Sequence, residues 1–537
     1  MYILTKDEMY EAEKYTKEKI GLSEEILMEN AGQKMVDEII KVVDRNKKIG
    51  IFCGNNNNAG DGFVVARKLK ILGFDVYIIF LGKYEKLKGS ALFNYSICEN
   101  LNIDFLIYPD DIKDFSCFDV IIDAMFGIGF KGELKFPYDE VVEKINSLNS
   151  FVIALDIPTG VYADFNITSK VAVKADLTLT VSFYKRSAFL YPAKLCYGKI
   201  VLVDANIVLD EKMKEFCSKV YLKEDFKKTF PKKEVNTNKS KEGKVLLIGG
   251  SDNMPGSISL TAKACYNSGV GLCEVATTKE VRKSLASNIL EVTFAETDEE
   301  DGVLKDIIVS KKFDCVACGP GLSRNKETRE VVKKAILLDL PLVLDADGLY
   351  FLDDELLSLI KNKKSPTVLT PHENEMARLF NVSLEEVSNN RFLISKEKAT
   401  EFLVYIVLKG PNTIITTKEG KQFVNTTGNT GLSKGGSGDV LTGIISSFLA
   451  RTKDVKSAIC NAVYVHGKVC DFLMSKNENE NTITPSKLID NLKFVFWLVF
   501  KWYILVYKVL DLLIWNSNKI FYVLVYEIID LIIKNRL

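Results

Sequence analysis

Short apolar runs that alternate with helical patterns are the feature that most limits what this chain can fold into. From residue 49 to residue 205 the runs IGIFC, DVYIIFLG, DVIIDAMFG, FVIALDIP, LTLTVSF and KIVLVDA follow one another with helical segments between them. Unalternated runs of this length predict parallel strands that are buried on both faces of a sheet. A second series begins with KVLLIGG at residue 244. The sequence therefore predicts an α/β fold with two doubly wound domains.

The predicted domain boundaries follow from these two series. The first domain covers residues 1–218, a lysine-rich polar linker covers 219–243, and the second domain covers 244–490. Residues 491–537 form a hydrophobic, aromatic-rich tail of unknown role that holds all three tryptophans. Charges recur in this tail, so it lacks the roughly 18 uncharged apolar residues of a membrane span. An added packing segment is favoured over membrane contact.

The composition limits which cellular compartment and which partners are expected for this chain. Lys+Arg and Asp+Glu number 71 each among 537 residues, so no net charge favours a nucleic acid partner. The eleven cysteines and a polar N-terminus without a secretory signal predict free thiols in a reducing cytoplasm. The pair Cys315 and Cys318 ends an apolar run and is predicted to be buried rather than to bind zinc. A homo-oligomer is expected.

The stretch GNNNNAGDG (54–62) lies between a predicted strand and the predicted helix that follows it. The backbone N–H groups of such a turn suit a phosphate, and glycines at 54, 60 and 62 allow close approach and positive φ. Asparagine tolerates the same conformation, and its carbonyl oxygen is a ligand for an alkali cation. A plain turn is the alternative.

Two further predicted strand ends carry carboxylates. Asp123 is followed by the glycine-containing loop 127–132, and Asp156 is followed by Thr159 and Gly160. The carboxyl ends of parallel strands converge on one crevice in an open sheet. The sequence therefore predicts a ligand site in which Asp156 is an acid–base group and Asp123 a cation ligand.

The second series ends in another glycine-rich turn, at residues 435–438, followed by Asp439 and an apolar helix. This turn suits phosphoryl oxygens, and an adjacent carboxylate can take a proton from a hydroxyl group. No Lys-Ser/Thr pair follows, so it is not a Walker loop. A simple glycine-rich turn is the alternative. His372, in TPHENE, is predicted to bind a ligand, whereas His466 lies in an apolar helix and is predicted to be core.

Several motifs of the first half together resemble a known family. MENAG (28–32), GNNNNAGDG, DAMFGIGFKGEL and LDIPTGV are similar to the N-terminal domain of bifunctional NAD(P)H-hydrate repair enzymes. The resemblance implies a Rossmann-like domain that epimerises the R and S hydrates of NADH or NADPH at C6 of the nicotinamide ring. Ala59 departs from the usual N-N-G-G-D-G loop. Implied substrate contacts are Asn57, Asn58, Ala59, Gly60, Asp61, Gly127, Ile128, Gly129, Phe130, Lys131, Gly132, Glu133, Tyr138 and Asp156, and implied potassium ligands are Asn58, Asp123 and Thr159.

The second half resembles the NAD(P)H-hydrate dehydratase branch of the ribokinase-like superfamily through GGS, CGPGL, PHxxE, KGxxT and GGSGD. The resemblance implies phosphate transfer from ADP, with magnesium, or from ATP to the ring hydroxyl of the S hydrate. Loss of phosphate then yields NAD(P)H, with AMP as the product from ADP. Asp439 is the implied base. Implied hydrate contacts are Ser257, Gly321, His372 and Asp439, and implied nucleotide contacts are Lys409, Gly410, Pro411, Asn412, Thr413, Gly435, Gly436, Ser437 and Gly438.

Two other functions remain open on the sequence alone. One is a ribokinase-like kinase for a vitamin-type alcohol fused to a non-catalytic nucleotide-binding module. The other is a non-catalytic N-terminal module, since relatives of this fold serve as RNA-decapping scaffolds. The presence of Asp123, Asp156 and the Asn/Gly loop favours an enzyme in the first half.

Overall fold

The described part of the chain consists of two compact units. A computed structural model of the protein describes residues 1–497. The first unit combines Met1–Leu222 with Leu349–Thr426, and the second combines Lys223–Gly348 with the described residues from Thr427 onward. The division thus falls inside the segment predicted as the second domain, and the predicted boundaries at 218, 243 and 490 stay predictions.

The helices and strands are as follows in chain order. Residues 1–222 form β1 (Tyr2–Leu4), α1 (Lys6–Tyr15), α2 (Glu24–Ile39), β2 (Lys48–Cys53), α3 (Asn57–Ile71), β3 (Asp75–Phe80), α4 (Gly89–Asn100), β4 (Asp104–Ile107), β5 (Val120–Ala124), α5 (Tyr138–Ser147), β6 (Phe151–Leu155), β7 (Leu177–Val181), β8 (Tyr184–Lys185), β9 (Lys199–Val203), α6 (Glu211–Phe216) and β10 (Ser218–Val220). Residues 223–350 form α7 (Lys223–Thr229), β11 (Lys244–Ile248), α8 (Pro255–Asn267), β12 (Leu272–Ala276), α9 (Lys279–Asn288), β13 (Thr293–Phe294), β14 (Glu296–Glu300), β15 (Val303–Ile308), β16 (Cys315–Cys318), α10 (Lys326–Leu337), β17 (Leu342–Leu344) and α11 (Asp347–Tyr350). Residues 351–474 form α12 (Asp354–Lys361), β18 (Thr367–Leu369), α13 (Glu373–Leu379), α14 (Leu384–Asn389), α15 (Arg391–Phe402), β19 (Tyr405–Leu408), β20 (Ile414–Thr416), β21 (Gln422–Val424), α16 (Ser437–Arg451) and α17 (Val455–Met474).

A seven-stranded sheet in the order β4-β3-β2-β5-β6-β7-β9 forms the centre of the first unit. All of its strands are parallel, which confirms the predicted α/β fold with parallel strands. The strand order reverses at β2, which pairs with β3 on one side and with β5 on the other. Ligands bind at such reversal points in open parallel sheets, outside the carboxyl ends of the strands. The fold therefore places a crevice where the sequence predicts one.

Both faces of this sheet are buried, as the unalternated apolar runs require. Ile51 and Ile122 belong to an apolar cluster that includes side chains of α2, α3 and α4. Their chain neighbours Phe52 and Ile121 point the other way, into a second cluster that includes side chains of α5. Alternate residues of each strand thus reach two different cores.

The N-terminal helices form close to where the sequence predicts them. The motif Thr5-x-x-Glu8 predicts a capping box and a helix through about residue 20, and the pattern that follows predicts a second helix over residues 24–44. Thr5 Oγ1 accepts a hydrogen bond from Glu8 N at 3.1 Å, and Thr5 N donates to Glu8 Oε2 at 2.7 Å, so the predicted capping box is confirmed. A π-helical turn, Thr16–Ile20, continues α1 to the predicted end near residue 20. The second helix, α2, starts at the predicted residue 24 but ends at Ile39 instead of near residue 44.

The first unit also contains seven strands paired in the order β18-β19-β20-β21-β10-β1-β8. Strand β10 lies parallel to β21, with Val220 opposite Val424. Because β10 and α7 overlap residues 219–243, the predicted linker contains regular structure. Phe226 and Phe230 of this segment are buried. The predicted solvated connector therefore contributes apolar side chains to the core.

The second unit has a parallel sheet in the order β13-β12-β11-β16-β17. Helices α8 and α16 pack closely, since a Cβ atom on Gly443 would lie 2.3 Å from the carbonyl oxygen of Thr261. Cys315 and Cys318 are fully buried in β16, which confirms the prediction that they belong to the core. Among residues 1–497, no three His, Cys, Asp or Glu side chains are grouped as metal ligands would be.

The predicted tail begins inside a helix of the second unit. This helix starts at residue 485 and continues to residue 497, and it buries Leu492 and Val495. The remainder of the tail, residues 498–537, lies outside the described residues. Within the described range, no helix combines the length and the apolar character needed to cross a membrane.

Replacing Gly32 by alanine should separate α2 from α3. A Cβ atom on Gly32 would lie 2.2 Å from Val64 Cγ1, so the two helices meet too closely for a methyl group. Overpacking of this kind costs about 1–3 kcal/mol. We expect Gly32→Ala to lower the free energy of unfolding by that amount in urea titrations followed by circular dichroism.

The control is Gly256→Ala in α8, because no atom lies within 4 Å of a Cβ atom built there. Its free energy of unfolding should stay unchanged or rise slightly. Equal losses in the two variants would contradict the close helix crossing.

Candidate active site

A cavity of about 530 Å³ lies in the first unit at the carboxyl ends of β2, β5 and β6. Its volume is in the range of small-molecule sites. Helices α1 and α2 form the opposite wall and contribute apolar side chains as well as charged ones. The side of the sheet contributes Asn56, Asn57, Asn58, Asp61, Phe126, Gly127, Ile128, Gly129, Phe130, Asp156 and Val181.

The turn after β2 is tied to the loop after β5. Asn56 caps α3 by accepting a hydrogen bond from Ala59 N at 3.2 Å, and its Nδ2 donates to Met125 O at 2.8 Å. A Cβ atom on Gly54 would lie 2.6 Å from the same Met125 oxygen. Glycine is therefore required at position 54 by close approach between two loops.

The predicted left-handed backbone in this turn is wrong. None of the residues 54–62 has a positive φ, since α3 already begins at Asn57. Gly60 and Gly62 are needed for space: a Cβ atom would lie 2.6 Å from Met28 Cε and 2.7 Å from Ala124 Cβ, respectively. Ala59 is a buried residue of the first helical turn, so alanine causes no backbone strain there.

Beneath the turn lies a buried polar group. Asp123 accepts hydrogen bonds from Thr159 Oγ1 at 2.7 Å, Thr159 N at 2.8 Å and Met125 N at 3.1 Å. Burial raises the pKa of Asp123 to about 6, although these hydrogen bonds oppose the rise. Asn58 is also buried, and neither side-chain polar atom of Asn58 has a hydrogen-bond partner among the described residues. An unpartnered buried amide of this kind calls for a ligand or water.

Asp156 forms a buried ion pair with a residue that sequence reasoning missed. Lys185 Nζ donates to Asp156 Oδ1, and the Lys185 side chain is only 1% exposed. Asp156 Oδ1 also accepts from Val181 N at 3.0 Å. The backbone of Asp156 is left-handed, with φ of 66°, a conformation that is uncommon outside glycine although aspartate and asparagine adopt it more often than other residues. Such a conformation at a strand end is often part of a functional site.

Other carboxyl groups face the same cavity. Burial, reinforced by the negative charges of Asp156 and Glu13, raises the pKa of Asp61 well above its usual value, although Lys185 opposes the rise. Burial and the charge of Asp156 also raise the pKa of Glu13. The cavity therefore brings the carboxyl groups of Glu13, Asp61 and Asp156 close enough for their charges to influence one another.

In the second unit, the glycine-rich turn lies at the start of α16. Gly436 has φ of 90° and precedes the first helical residue, and Asp439 lies in the first turn. Ser437 Oγ is 3.3 Å from Nε2 of His466, which is buried as predicted. Gly321, with φ of 61°, would place a Cβ atom 3.0 Å from Ser257 Cβ. The unit thus brings Gly321 together with Ser257, which lies in the first turn of α8.

His372 and the 409–413 loop are held in the first unit. His372 caps α13, because its Nδ1 accepts from Glu375 N at 3.2 Å. Glu375 Oε2 lies 3.8 Å from Lys409 Nζ. The buried guanidinium of Arg391 donates to the carbonyl oxygens of Leu408, Lys409 and Pro411. Asn412 Nδ2 donates to the Phe189 carbonyl oxygen at 3.1 Å.

Comparison with known proteins identifies the family of the chain. The model described as YjeF-related protein N-terminus matches residues 24–187, and the model described as NAD(P)H-hydrate dehydratase matches residues 245–493. The bifunctional NAD(P)H-hydrate repair enzyme Nnr of Thermofilum pendens is 33% identical over 488 residues, which are 88% of this chain and 92% of that protein. The chain belongs to this repair-enzyme family. The resemblance stated from the motifs is confirmed.

One further relative and one solved structure are also similar to this chain. The bifunctional NAD(P)H-hydrate repair enzyme Nnr of Coxiella burnetii is 32% identical over 84% of this chain and 91% of its own length. A crystal structure of the ADP/ATP-dependent NAD(P)H-hydrate dehydratase from Bacillus subtilis, co-crystallised with ATP and Mg²⁺, is 29% identical with a TM-score of 0.47. That similarity covers 52% of this chain and 99% of the Bacillus subtilis chain.

Some of the substrate contacts that the family resemblance implies do not line the cavity. Glu133 accepts from Ser169 Oγ at 2.8 Å and from Lys170 N at 2.7 Å, so its carboxylate fastens a neighbouring loop. Tyr138 packs against Phe126 with ring centroids 4.6 Å apart. Substrate contacts by these two residues stay predictions. The same holds for the other implied residues outside the lining, which are Ala59, Gly60, Lys131 and Gly132.

Sequence reasoning missed the N-terminal wall and Lys185. Tyr10 and Glu13 of α1 line the cavity, together with Lys17 and Glu24. The Thr5–Glu8 capping box predicted a helix here, but no local pattern indicates what that helix faces. Lys185 is separated from Asp156 by 29 positions, so only the fold reveals the pair.

Asp61→Asn should stabilise the protein at neutral pH. A carboxyl whose pKa is raised in the folded state is protonated in both states below the unfolded pKa of about 3.9. As pH rises, the unfolded state releases the proton readily while the folded state resists, so the wild type loses stability. We expect Asp61→Asn to raise the free energy of unfolding at pH 7.5 but not near pH 3.5.

The control is Asp37→Asn on the exposed face of α2, where Asp37 pairs with Lys34 across 3.4 Å. It should show no gain that grows with pH. A gain for Asp61→Asn that is equal at both pH values would contradict the burial of an ionisable carboxyl.

Proposed function

We propose that this chain repairs hydrated NADH and NADPH in two reactions. The first interconverts the R and S hydrates, and the second dehydrates the S hydrate to NAD(P)H with ADP, releasing AMP and phosphate, or with ATP. The observation that carries the first reaction is the cavity at the reversal of strand order, which gathers the Asn57–Asp61 turn, the Gly127–Phe130 loop and Asp156 in a member of this family.

The lining of the cavity supports the proposal of a dinucleotide whose ring carries a hydroxyl group. The start of α3 presents backbone N–H groups and the positive end of a helix dipole, which favour phosphate oxygens. Asp156 lies across from this turn and has a carboxylate within the cavity wall. Inversion at C6 requires a proton donor and a proton acceptor, and Asp156 is the proposed acid–base group.

A potassium ion fits the buried group below the turn. Asn58 has an unpartnered side-chain oxygen among the described residues, and Asp123 is a buried carboxylate with a raised pKa. Together with the hydroxyl of Thr159 they would supply oxygen ligands, which suit a hard cation. When bound, potassium would supply positive charge that offsets Asp123 beside the phosphate-binding turn.

The dehydration reaction is assigned to residues of the motifs that resemble the dehydratase family. Asp439 is the proposed base on the ring hydroxyl, and the turn 435–438 binds the transferring phosphoryl group. Lys409–Thr413 bind the nucleotide, and Ser257, Gly321 and His372 contact the hydrate. Magnesium is proposed to arrive with the nucleotide, because it is commonly held by substrate phosphates and few protein ligands.

The proposal also includes the fold type of each domain, the cellular compartment and the oligomeric state. The first domain is proposed to be Rossmann-like and the second ribokinase-like. A reducing cytoplasm is supported by eleven free cysteines, most of them buried. Homo-oligomerisation also remains part of the proposal.

Two matched substitutions should separate the reactions. Asp156→Asn keeps the shape of the side chain but removes its charge, so R-to-S conversion should fall at least about 100-fold. Dehydration of the pure S hydrate should be retained. Asp439→Asn should give the reverse pattern. Recovery of NADH absorbance from mixed hydrates with ADP or ATP, and chromatography of R and S forms without nucleotide, measure the two steps.

Three outcomes would count against this assignment. Absence of NADH recovery by the wild type with either nucleotide would contradict the dehydratase function. Accumulation of a phosphorylated product would favour the small-molecule kinase instead. Intact epimerisation by Asp156→Asn would remove Asp156 from the mechanism.

Potassium should stabilise the first unit. With ion at about ten times its dissociation constant, linkage gives about 1.4 kcal/mol, or a few degrees in the unfolding midpoint. We expect 100 mM KCl, compared with choline chloride at equal concentration, to raise that midpoint in wild type but not in Thr159→Val. The control is Asn57→Ala, because the Asn57 side chain donates to Glu24 at 3.0 Å and is not a proposed potassium ligand. This variant should show the same rise of the midpoint with KCl as the wild type. Equal responses in Thr159→Val and wild type would contradict the site.

A further inference from the structure

Lys185 is a buried residue whose Nζ is surrounded by three hydrogen-bond acceptors. The side chain is 1% exposed, and its Nζ contacts Asp156 Oδ1, Thr180 Oγ1 at 3.1 Å and the Val181 carbonyl oxygen at 3.2 Å. An ammonium group has three N–H donors, and each has an acceptor here. All three N–H donors of Lys185 are therefore used by groups of the first unit.

The same contacts divide the roles of the two oxygens of Asp156. Oδ1 accepts from Lys185, from Val181 N at 3.0 Å and from Thr180 Oγ1 at 3.3 Å. None of the described residues donates to Oδ2, and Asp156 lies in the cavity wall. One oxygen is thus fixed by the protein, and the other is left for a ligand.

Other acidic groups surround Asp156, and Lys185 offsets their negative charge. Asp61 of α3 and Glu13 of α1 interact repulsively with Asp156, and Tyr10 of α1 also senses its charge. Burial and like charges both favour a protonated carboxyl, whereas an adjacent cation favours the ionised form. Lys185 supplies that cation in direct contact with Asp156. The neighbouring Asp61, without such a contact, has its pKa raised.

We propose that Lys185 is a positioning residue of the epimerase site, which holds Oδ1 of Asp156 and directs Oδ2 toward the bound hydrate, so that Asp156 accepts a proton while Asp61 donates one. This inference rests on the proposed epimerase function. It deepens that function by assigning a separate role to each of the three side chains.

The step can be written with its atoms and electrons. Asp61 gives its proton to the hydroxyl on C6, the C6–O bond breaks, and the oxygen leaves as water with the bonding pair. The lone pair of the ring nitrogen forms a C=N bond to C6. Water then adds to the opposite face of C6, the C=N pair returns to nitrogen, and the released proton goes to Asp156. Exchange of one proton with solvent restores the starting pair.

The test compares Lys185→Met and Lys185→Arg in the full chain. Conversion of R to S hydrate is followed without nucleotide, above the uncatalysed background, so that dehydration does not interfere. We expect Lys185→Met to lower kcat at least about 100-fold with KM changed less than about threefold, as for loss of an acid–base group. The acidic limb of its pH–rate profile should move to higher pH, and Lys185→Arg should recover part of both effects.

A purely structural role predicts a different result. Arg451→Met removes another buried cation, whose Nε lies 3.2 Å from Glu242 in the second unit. It should lower stability while leaving the epimerase kcat and pH profile unchanged. A folded Lys185→Met protein with the wild-type rate and profile overturns the proposal. So does a loss of rate without a shift of the acidic limb and without recovery in Lys185→Arg.

A second variant covers the case in which Lys185→Met does not fold. Thr180→Val keeps the side-chain shape but removes the hydroxyl that contacts both Lys185 and Asp156. We expect a three- to tenfold lower kcat and a shift of the acidic limb in the same direction, and an unchanged profile overturns the proposal. Absence of R-to-S conversion by the wild type would instead overturn the epimerase function itself.

Discussion

The hydrogen bonds of one buried carboxylate hold together the loops that form the cavity. Asp123, at the end of β5, binds both the amide and the hydroxyl of Thr159, which follows β6. Its own loop then contacts the turn after β2, because Met125 O accepts from Asn56 and touches Gly54. Three loops from neighbouring strands are thus joined through polar contacts that are largely shielded from water. That junction fixes the loops after β2, β5 and β6 relative to one another.

The sequence predicted where this site lies better than how it is built. Strand ends were identifiable from apolar runs, and parallel strands bring their carboxyl ends together, so Asp123, Asp156 and the 54–62 turn were expected at one crevice. The reason for the glycines was not predictable, since the distance from Gly54 to Met125 depends on loops about 70 positions apart. Lys185 was missed for the same reason. Local patterns fix elements and their ends, whereas ion pairs between distant segments depend on the finished fold.

The segment that follows Lys185 also contacts the loop assigned to the nucleotide. Phe189 O accepts from the Asn412 side chain at 3.1 Å, and Arg186 lies over the Phe392 ring at 5.2 Å. Arg391, next to Phe392, holds three carbonyl groups around the 409–413 loop. Contiguous packing of this kind allows the state of one site to influence another, although coupling requires that the intervening segment have two arrangements. Within the first unit, residues 185–189 thus link the cavity residue Asp156 to the 409–413 loop through direct contacts.

The pairing of β10 with β21 has a consequence for how the two activities could be taken apart. Residues 218–220 complete a sheet whose next strand, 422–424, comes from the other side of the lysine-rich segment. A protease cut near residue 240 would therefore put these two paired strands on different pieces of the chain. It would leave the C-terminal piece with an unpaired strand edge, and such edges promote aggregation. Although the two sets of motifs are separate along the chain, residues from both sides of the connector must be present for this sheet to be complete.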